Sequence, residues 1–190
     1  MFLLAAATAS FSQTSRRFPG KKSEITSPDG RWVLQDVDRD QEPNHSIFLK
    51  SIATGKTRKV CDYGRGASIV WSPDSRRFAI NDYAGSDFTE TSILSVDETV
   101  PKIDVQDEIL RYDRSLRERV TLVGWGHDYF GVVRWLDAQK TVVHHWGHND
   151  EPPLGDFCVC YVYILGVSVQ KCAHQPKGLD LEELCDRSAP

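Results

Sequence analysis

Two stretches 45 residues apart constrain this chain more than anything else in it. Ile25-Thr-Ser-Pro-Asp-Gly-Arg-Trp-Val-Leu34 and Ile69-Val-Trp-Ser-Pro-Asp-Ser-Arg-Arg-Phe-Ala-Ile80 share a core, Ser27-Pro28-Asp29 in one and Ser72-Pro73-Asp74 in the other. Proline arrives with its φ set for the second position of a type I turn, aspartate tolerates the third, and Gly30 suits the fourth. Apolar runs flank both turns, so each copy reads as a tight hairpin. A second hairpin follows in each unit, with residues 47–52 and 57–60 around Ala53-Thr-Gly-Lys56, and residues 91–96 and 102–105 around Asp97-Glu-Thr99. Four short strands in about 45 residues is the period of a propeller blade. A third, weaker copy is expected at residues 124–133, with Asp128 in the turn position. That unit is enlarged, with strands expected over 120–125, 129–135, 141–146, 157–165 and 167–172. Between the second and third units Val105, Ile109, Tyr112 and Leu116 recur at helical spacing. Acidic residues open that stretch and arginines close it, which suits the helix dipole and predicts a helix over 104–119 packed on the sheets.

Trp71-Ser-Pro-Asp-Ser-Arg-Arg-Phe-Ala-Ile80, and the Thr54-Gly-Lys56 turn of the first unit, resemble the blade repeat of TolB-type β-propellers. The same repeat occurs in the propeller domains of prolyl oligopeptidase-like peptidases. The resemblance covers residues 24–105 well and 120–173 poorly. It implies an all-β fold, a propeller-like array of three antiparallel blade-like sheets with one accessory helix. Three units are fewer than the usual four to eight, and association into a homo-oligomer is one way such a ring closes. Residues 24–175 form the expected β domain, after a flexible lead over 1–23 and before a tail over 176–190. A short helix capped by Asp180 is expected in that tail.

A net charge of −4 gives no basic surplus for nucleic acid, and no apolar run is long enough to span a bilayer. Phe2-Leu-Leu-Ala-Ala-Ala-Thr-Ala9 resembles the end of a secretory signal, with Ala7-Thr8-Ala9 as a small-residue cleavage site but no basic segment before it. Export to a periplasmic or extracellular compartment is the expectation. Cysteine usage agrees with it. Cys158, Cys160, Cys172 and Cys185 cluster near the C-terminus, and Cys61 stands apart. Cys158-Val-Cys160 places both sulfurs on one face of a strand, and a turn near Leu165-Gly166 brings Cys172 opposite one of them. One or two disulfides are expected, Cys158 or Cys160 with Cys172 first among them; the alternative is a set of reduced core thiols. The Cys-x-Cys spacing does not fit a zinc ribbon.

In a blade the Ser-Pro-Asp turns mark one rim, and the loops joining the two hairpins mark the other. Those loops are residues 36–44, 82–90 and 144–153, all rich in carboxylates or imidazoles. Asp36, Asp38 and Asp40 have the spacing that begins a calcium loop, but Gln41 stands where glycine belongs and Ile47 where the bidentate glutamate belongs. With Asp87 and Glu90 they are the candidate ligand-binding residues. His144, His145, His148 and Asp150 offer zinc-type ligands, although His144 and His145 face opposite sides of a strand. Asp29, Asp74 and Asp128 are explained by their turns, and the five tryptophans by core packing. No nucleophile elbow, phosphate loop or dinucleotide fingerprint is present. The function expected is a non-enzymatic binding or scaffolding module that contacts a protein or small ligand through the three rim loops and needs no cofactor. The alternative is a metal-dependent hydrolase centred on residues 144–150.

Overall fold

A computed structural model describes residues 16–20, 23–38, 45–113, 127–148 and 157–172. The strands, in chain order, are β1 (Arg16–Phe18), β2 (Glu24–Thr26), β3 (Trp32–Asp38), β4 (His45–Ser51), β5 (Thr57–Tyr63), β6 (Ala67–Trp71), β7 (Arg77–Asp82), β8 (Glu90–Ser95) and β9 (Ile103–Asp104). Helix α1 (Val105–Tyr112) follows, then β10 (His127–Trp135), β11 (Lys140–His148), β12 (Phe157–Ile164) and β13 (Ser168–Lys171). They form three antiparallel sheets, ordered β2-β3-β4-β5, β1-β6-β7-β8-β9 and β10-β11-β12-β13.

The second sheet is the middle layer. Period-two alternation sends Ile69, Trp71, Phe78 and Ile80 into one core with Leu34, Ile47 and Leu49 of the first sheet. Val70, Ala79 and Ile93 go the other way, into a core with Phe130, Val132, Val143 and Tyr161 of the third. All five residues of β6 are therefore buried, as a strand covered on both faces requires. Each large side chain so enclosed contributes about 1.5–3 kcal/mol of hydrophobic stabilisation.

The Ser-Pro-Asp turns behave as their chemistry dictates. Ser27 Oγ donates to Asp29 Oδ1 (2.7 Å) and accepts the Trp32 N–H (3.0 Å). Ser72 Oγ makes the same pair of contacts with Asp74 (2.7 Å) and the Arg77 N–H (2.9 Å). The fourth turn position is left-handed in both copies, at φ +72° for Gly30 and +60° for Ser75. A serine endures that backbone where glycine would be free, and its hydroxyl accepts the Asp29 N–H at 3.0 Å, tying one turn to the other across the sheets.

The third copy departs from expectation. Asp128 is not in a turn: it lies within β10, paired with Gly147. Residues 124–133 have neither the serine hydroxyl nor the proline that close the other two turns. Residues 120–125, expected as a strand, lie outside the described residues, as do the signal-like start, the tail helix, Asp40, Asp150 and Cys185. The lead also differs, because Arg16–Phe18 pairs antiparallel with β6 and buries Phe18 in the first core. The helix begins where expected, with the Asp104 carboxylate accepting the Asp107 N–H (3.0 Å). Its described part ends at Tyr112, where the Asp113 N–H bonds to Ile109 O. Val105 and Ile109 are fully buried in the second core. Tyr163 donates to Glu108 Oε2 (2.8 Å) and Tyr161 to Asp113 Oδ2 (3.1 Å), fastening the helix to the third sheet.

Candidate functional site

The ends of β3, β7 and β11, together with the starts of β4, β8 and β10, lie at the rim opposite the Ser-Pro-Asp turns. Antiparallel register makes this a consequence of topology: Asp38 faces His45, Asp82 faces Glu90, and His127 faces His148. The rim is not uniform. Its carboxylates gather between the first and second sheets.

On the first sheet, Asp38, His45 and Tyr63 form one cross-strand row, with Asp36 two residues along β3 on the same face. The Tyr63 hydroxyl donates to Asp36 Oδ1 at 2.7 Å. His45 Nδ1 is 3.5 Å from Asp36 Oδ1 and 2.7 Å from Asp38 Oδ1. The shorter approach is a close polar contact rather than an aligned hydrogen bond. The His45 ring stacks on Tyr63 with centroids 4.8 Å apart, which fixes the direction of the imidazole. Asp36 is 7% exposed and Asp38 82%, so the row runs from a buried anion to an open one. One ligand atom from each of Asp36, Asp38 and His45 lies within 4.8 Å of the others, a spacing and a mixed nitrogen–oxygen set that one divalent cation of the zinc type can bridge. Burial, aided by the hydrogen bond to Asp36, raises the Tyr63 hydroxyl well above its ordinary pKa, so it acts as a fixed donor.

The second sheet faces this row with Asp82 and Glu90. Burial, then the Glu90 charge across the ladder, lifts the Asp82 carboxyl to about 6. Asp82 Oδ1 is shut off from water and has no hydrogen-bond partner among the described residues. Across the sheets, burial first and then the charges of Asp82 and Asp62 push the Cys61 thiol up to about 12. Asp36 and Asp38 follow Leu34 on the face of β3 turned to the second sheet, and Asp82 follows Phe78 and Ile80 on the face of β7 turned to the first, so the two sheets' acidic ends face the same seam.

Of the five ligand-binding residues expected from sequence, Asp36, Asp38 and Glu90 belong to this rim cluster. The Asp87 main-chain carbonyl accepts the Asp128 N–H (2.8 Å), joining loop 83–89 to the third sheet, while its carboxylate accepts from the Ser86 hydroxyl. His45, Tyr63 and Asp82, which stand in the same cluster, are not singled out by the sequence. The signal for His45 and Tyr63 is register, because His45 stands opposite Asp38 and Tyr63 opposite His45 once the hairpins are paired.

The imidazole segment is built differently. His144 points to the outer face of the third sheet, stacked on Trp146 (4.7 Å), with Nε2 3.0 Å from Cys158 Sγ. Burial holds it at about 4, neutral at physiological pH. His145 points the other way, stacked on Phe130 (4.1 Å), with Nε2 2.5 Å from Asp128 Oδ1. The two imidazoles thus serve separate packed environments, and the His145–Asp128 pair is the role that the sequence's misread turn residue performs. Cys61, Cys158, Cys160 and Cys172 are thiols, with no disulfide among the described residues.

No helix among the described residues is long and apolar enough to cross a membrane. No protein-family model matches this chain, and no curated protein matches it. Among solved structures it is similar to the β-propeller domain of the Trilobed protease from Pyrococcus furiosus, a domain of open-Velcro topology, at 17% identity and a TM-score of 0.53. That match spans 81% of this chain and 43% of the neighbour's, so the chain corresponds to less than half of that propeller. The fold is of β-propeller type, with three antiparallel blade-like sheets that do not close into a ring.

Proposed function

We propose that this chain is an exported, non-enzymatic binding module of TolB-like propeller type, and that it takes a cationic ligand at the rim between its first and second sheets. The observation that carries this reading is the half-buried Asp82 carboxylate, whose Oδ1 is enclosed without a hydrogen-bond partner among the described residues and which is set directly across from Glu90. An arrangement of like charges that perturbs its own pKa marks a functional site more often than an ordinary surface. A cation entering beside Asp82, Glu90 and the Asp36–Asp38–His45 row relieves that repulsion. Export is supported by the signal-like residues 2–9, and protein sequencing of the mature N-terminus tests it. The hydrolase alternative would use one of His144 and His145, which point to opposite faces of β11, together with His148 and Asp150, and Asp150 lies outside the described residues.

Titration calorimetry of the whole chain with calcium alone, zinc alone and a lysine-rich peptide separates the two sources of positive charge. Saturable heat is expected with one of these probes. Asp38→Ala and Asp82→Asn should each weaken that binding at least tenfold, while Asp87→Ala, whose carboxylate is taken up by the Ser86 hydroxyl within loop 83–89, should leave it within twofold. Silence with all three probes, or equal loss in Asp87→Ala, would remove the proposal.

A further inference from the structure

The third sheet carries three thiols away from that rim, and its register decides which two can join. Cys158 and Cys160 lie on β12, and Cys172 follows the last residue of β13. Tyr161 is paired with Lys171, so the next step along the ladder sets Cys160 directly opposite Cys172. The Cys172 N–H donates to Cys160 O at 2.8 Å, which extends the ladder through this pair. Opposed residues of a hydrogen-bonded antiparallel pair have Cα atoms about 5.5 Å apart, within the ~4.4–6.8 Å that a disulfide spans. Both side chains lie on the outward face, where Cys172 packs against Val142 and Cys160. Cys158 is two residues away along the strand, about 7 Å at the usual strand rise, and its sulfur faces His144 Nε2 at 3.0 Å. The spacing that left Cys158 and Cys160 as equal candidates is therefore resolved by register in favour of Cys160.

We propose that Cys160 and Cys172 are a redox pair that closes to a disulfide by exchange with a small-molecule disulfide, fixing the outer edge strand β13 to β12. Cys172 is half-buried and Cys160 only 5% exposed, so Cys172 reacts first. Its thiolate attacks the S–S bond of the small disulfide, forming a mixed disulfide and expelling one thiolate, which takes up the proton that Cys172 released. The Cys160 thiolate then displaces the second small thiol in the same way. One S–S bond is broken and one is made; the protein loses two hydrogens and two small thiols are produced. The new bond encloses residues 161–171, a short loop that ends on the strand at the edge of this sheet among the described residues, where strand pairing is otherwise easiest to lose.

The test incubates the whole chain with oxidised glutathione, blocks the remaining thiols by alkylation, and maps tryptic peptides without reduction. Cleavage after Lys171 separates Cys172 from the peptide that holds Cys158 and Cys160, so a cross-link joins two distinct peptides. The expected result is that cross-link in the wild type and in Cys158→Ser, with its loss in Cys160→Ser. The oxidised protein should also unfold at a higher urea concentration than the reduced one, and Cys158→Ser should keep that difference. A cross-link that survives in Cys160→Ser but not in Cys158→Ser would overturn the assignment. So would a glutathione adduct that persists on Cys172, or all three thiols alkylated after oxidation.

Discussion

Asp82 ends β7 with one carboxylate oxygen enclosed and Glu90 opposite, and the cost of that placement can be read by titration. Its pKa is raised from the ordinary value to about 6, so between roughly pH 4 and 6 the folded chain holds a proton that the unfolded chain has released. Stability from this group is therefore fully present below the unfolded pKa and is lost as the pH rises through about 6. Asp82→Asn removes the charge that is penalised at neutral pH. Because water still reaches part of the side chain, the expected gain is about 1 kcal/mol at pH 7.5, falling through about half that near pH 5 to nearly nothing at about pH 3.5, and the two ends of that range are the pH values to compare. Urea unfolding at the two pH values checks it, and an equal effect at both would show that the carboxylate's charge is not the cause. Cation binding should weaken in the same variant, a trade of function for stability common at strained sites. Asp29 titrates in the opposite sense. Burial alone would raise it, but the Arg31 N–H, the Ser27 hydroxyl and the Arg31 guanidinium prevail and bring it to about 2. This turn chemistry was legible in the sequence because Ser, Pro and Asp each have a local job. Asp128 was misread because a lone aspartate has none: without the serine and proline, its environment is set by β11 and His145, which lie far along the chain.

Strand β10 shows what local reading cannot supply. It is the first strand of the third sheet, hydrogen-bonded along one edge to β11. Side chains of β7, β8 and the loop before β8 satisfy groups on its other edge. Asn81 Nδ2 donates to Val132 O (3.0 Å), and Asn81 Oδ1 accepts the Val132 N–H (2.8 Å). Thr89 Oγ1 accepts the Phe130 N–H (2.7 Å), and Thr91 Oγ1 donates to Phe130 O (2.6 Å). In sequence, Asn81 reads as a polar residue closing an apolar strand. Its role exists only once two sheets are stacked. Asn81→Leu keeps the bulk but orphans a buried N–H and a buried C=O together, which should destabilise by about 2–4 kcal/mol. Thr91→Val should cost only about 1 kcal/mol, because Thr89 still reaches Phe130. Chemical denaturation of both variants measures the difference, and equal losses would mean that the Asn81 clip is no stronger than a single hydroxyl. Helix α1 is the opposite case, since its Asp104 cap and its apolar spacing announce it in the sequence. Strand β1 announces nothing. Arg16–Phe18 has no alternation to read, and only the open edge of β6 makes it a strand.

Three sheets stacked face to face, with the middle one covered on both sides, make the whole molecule closer to a layered array than to a closed ring. The 45-residue period made that array legible, because each period supplies one four-stranded unit too thin to bury its own apolar face. What the period could not carry was the third unit's departure from it, where α1 and the long strands β10–β12 replace the repeat. The layering has an energetic consequence. Ile69 and Val70 are neighbours on β6, yet Ile69 belongs to the core with the first sheet and Val70 to the core with the third. Losing either outer sheet strips one face of the middle sheet, whereas losing the middle sheet strips a face from both neighbours. In a stack coupled only between neighbours, opening should begin at the outer layers. Amide hydrogen exchange under native conditions should therefore find its slowest sites on β6 and β7, with β5 and β13, the outer edge strands of the first and third sheets, exchanging at least tenfold faster. Val70→Ala, which loosens only the contact with the third sheet, should speed exchange in β10–β13 more than in β2–β5, and Ile69→Ala should do the reverse. Uniform acceleration across all three sheets in both variants would mean that the stack opens as one cooperative unit.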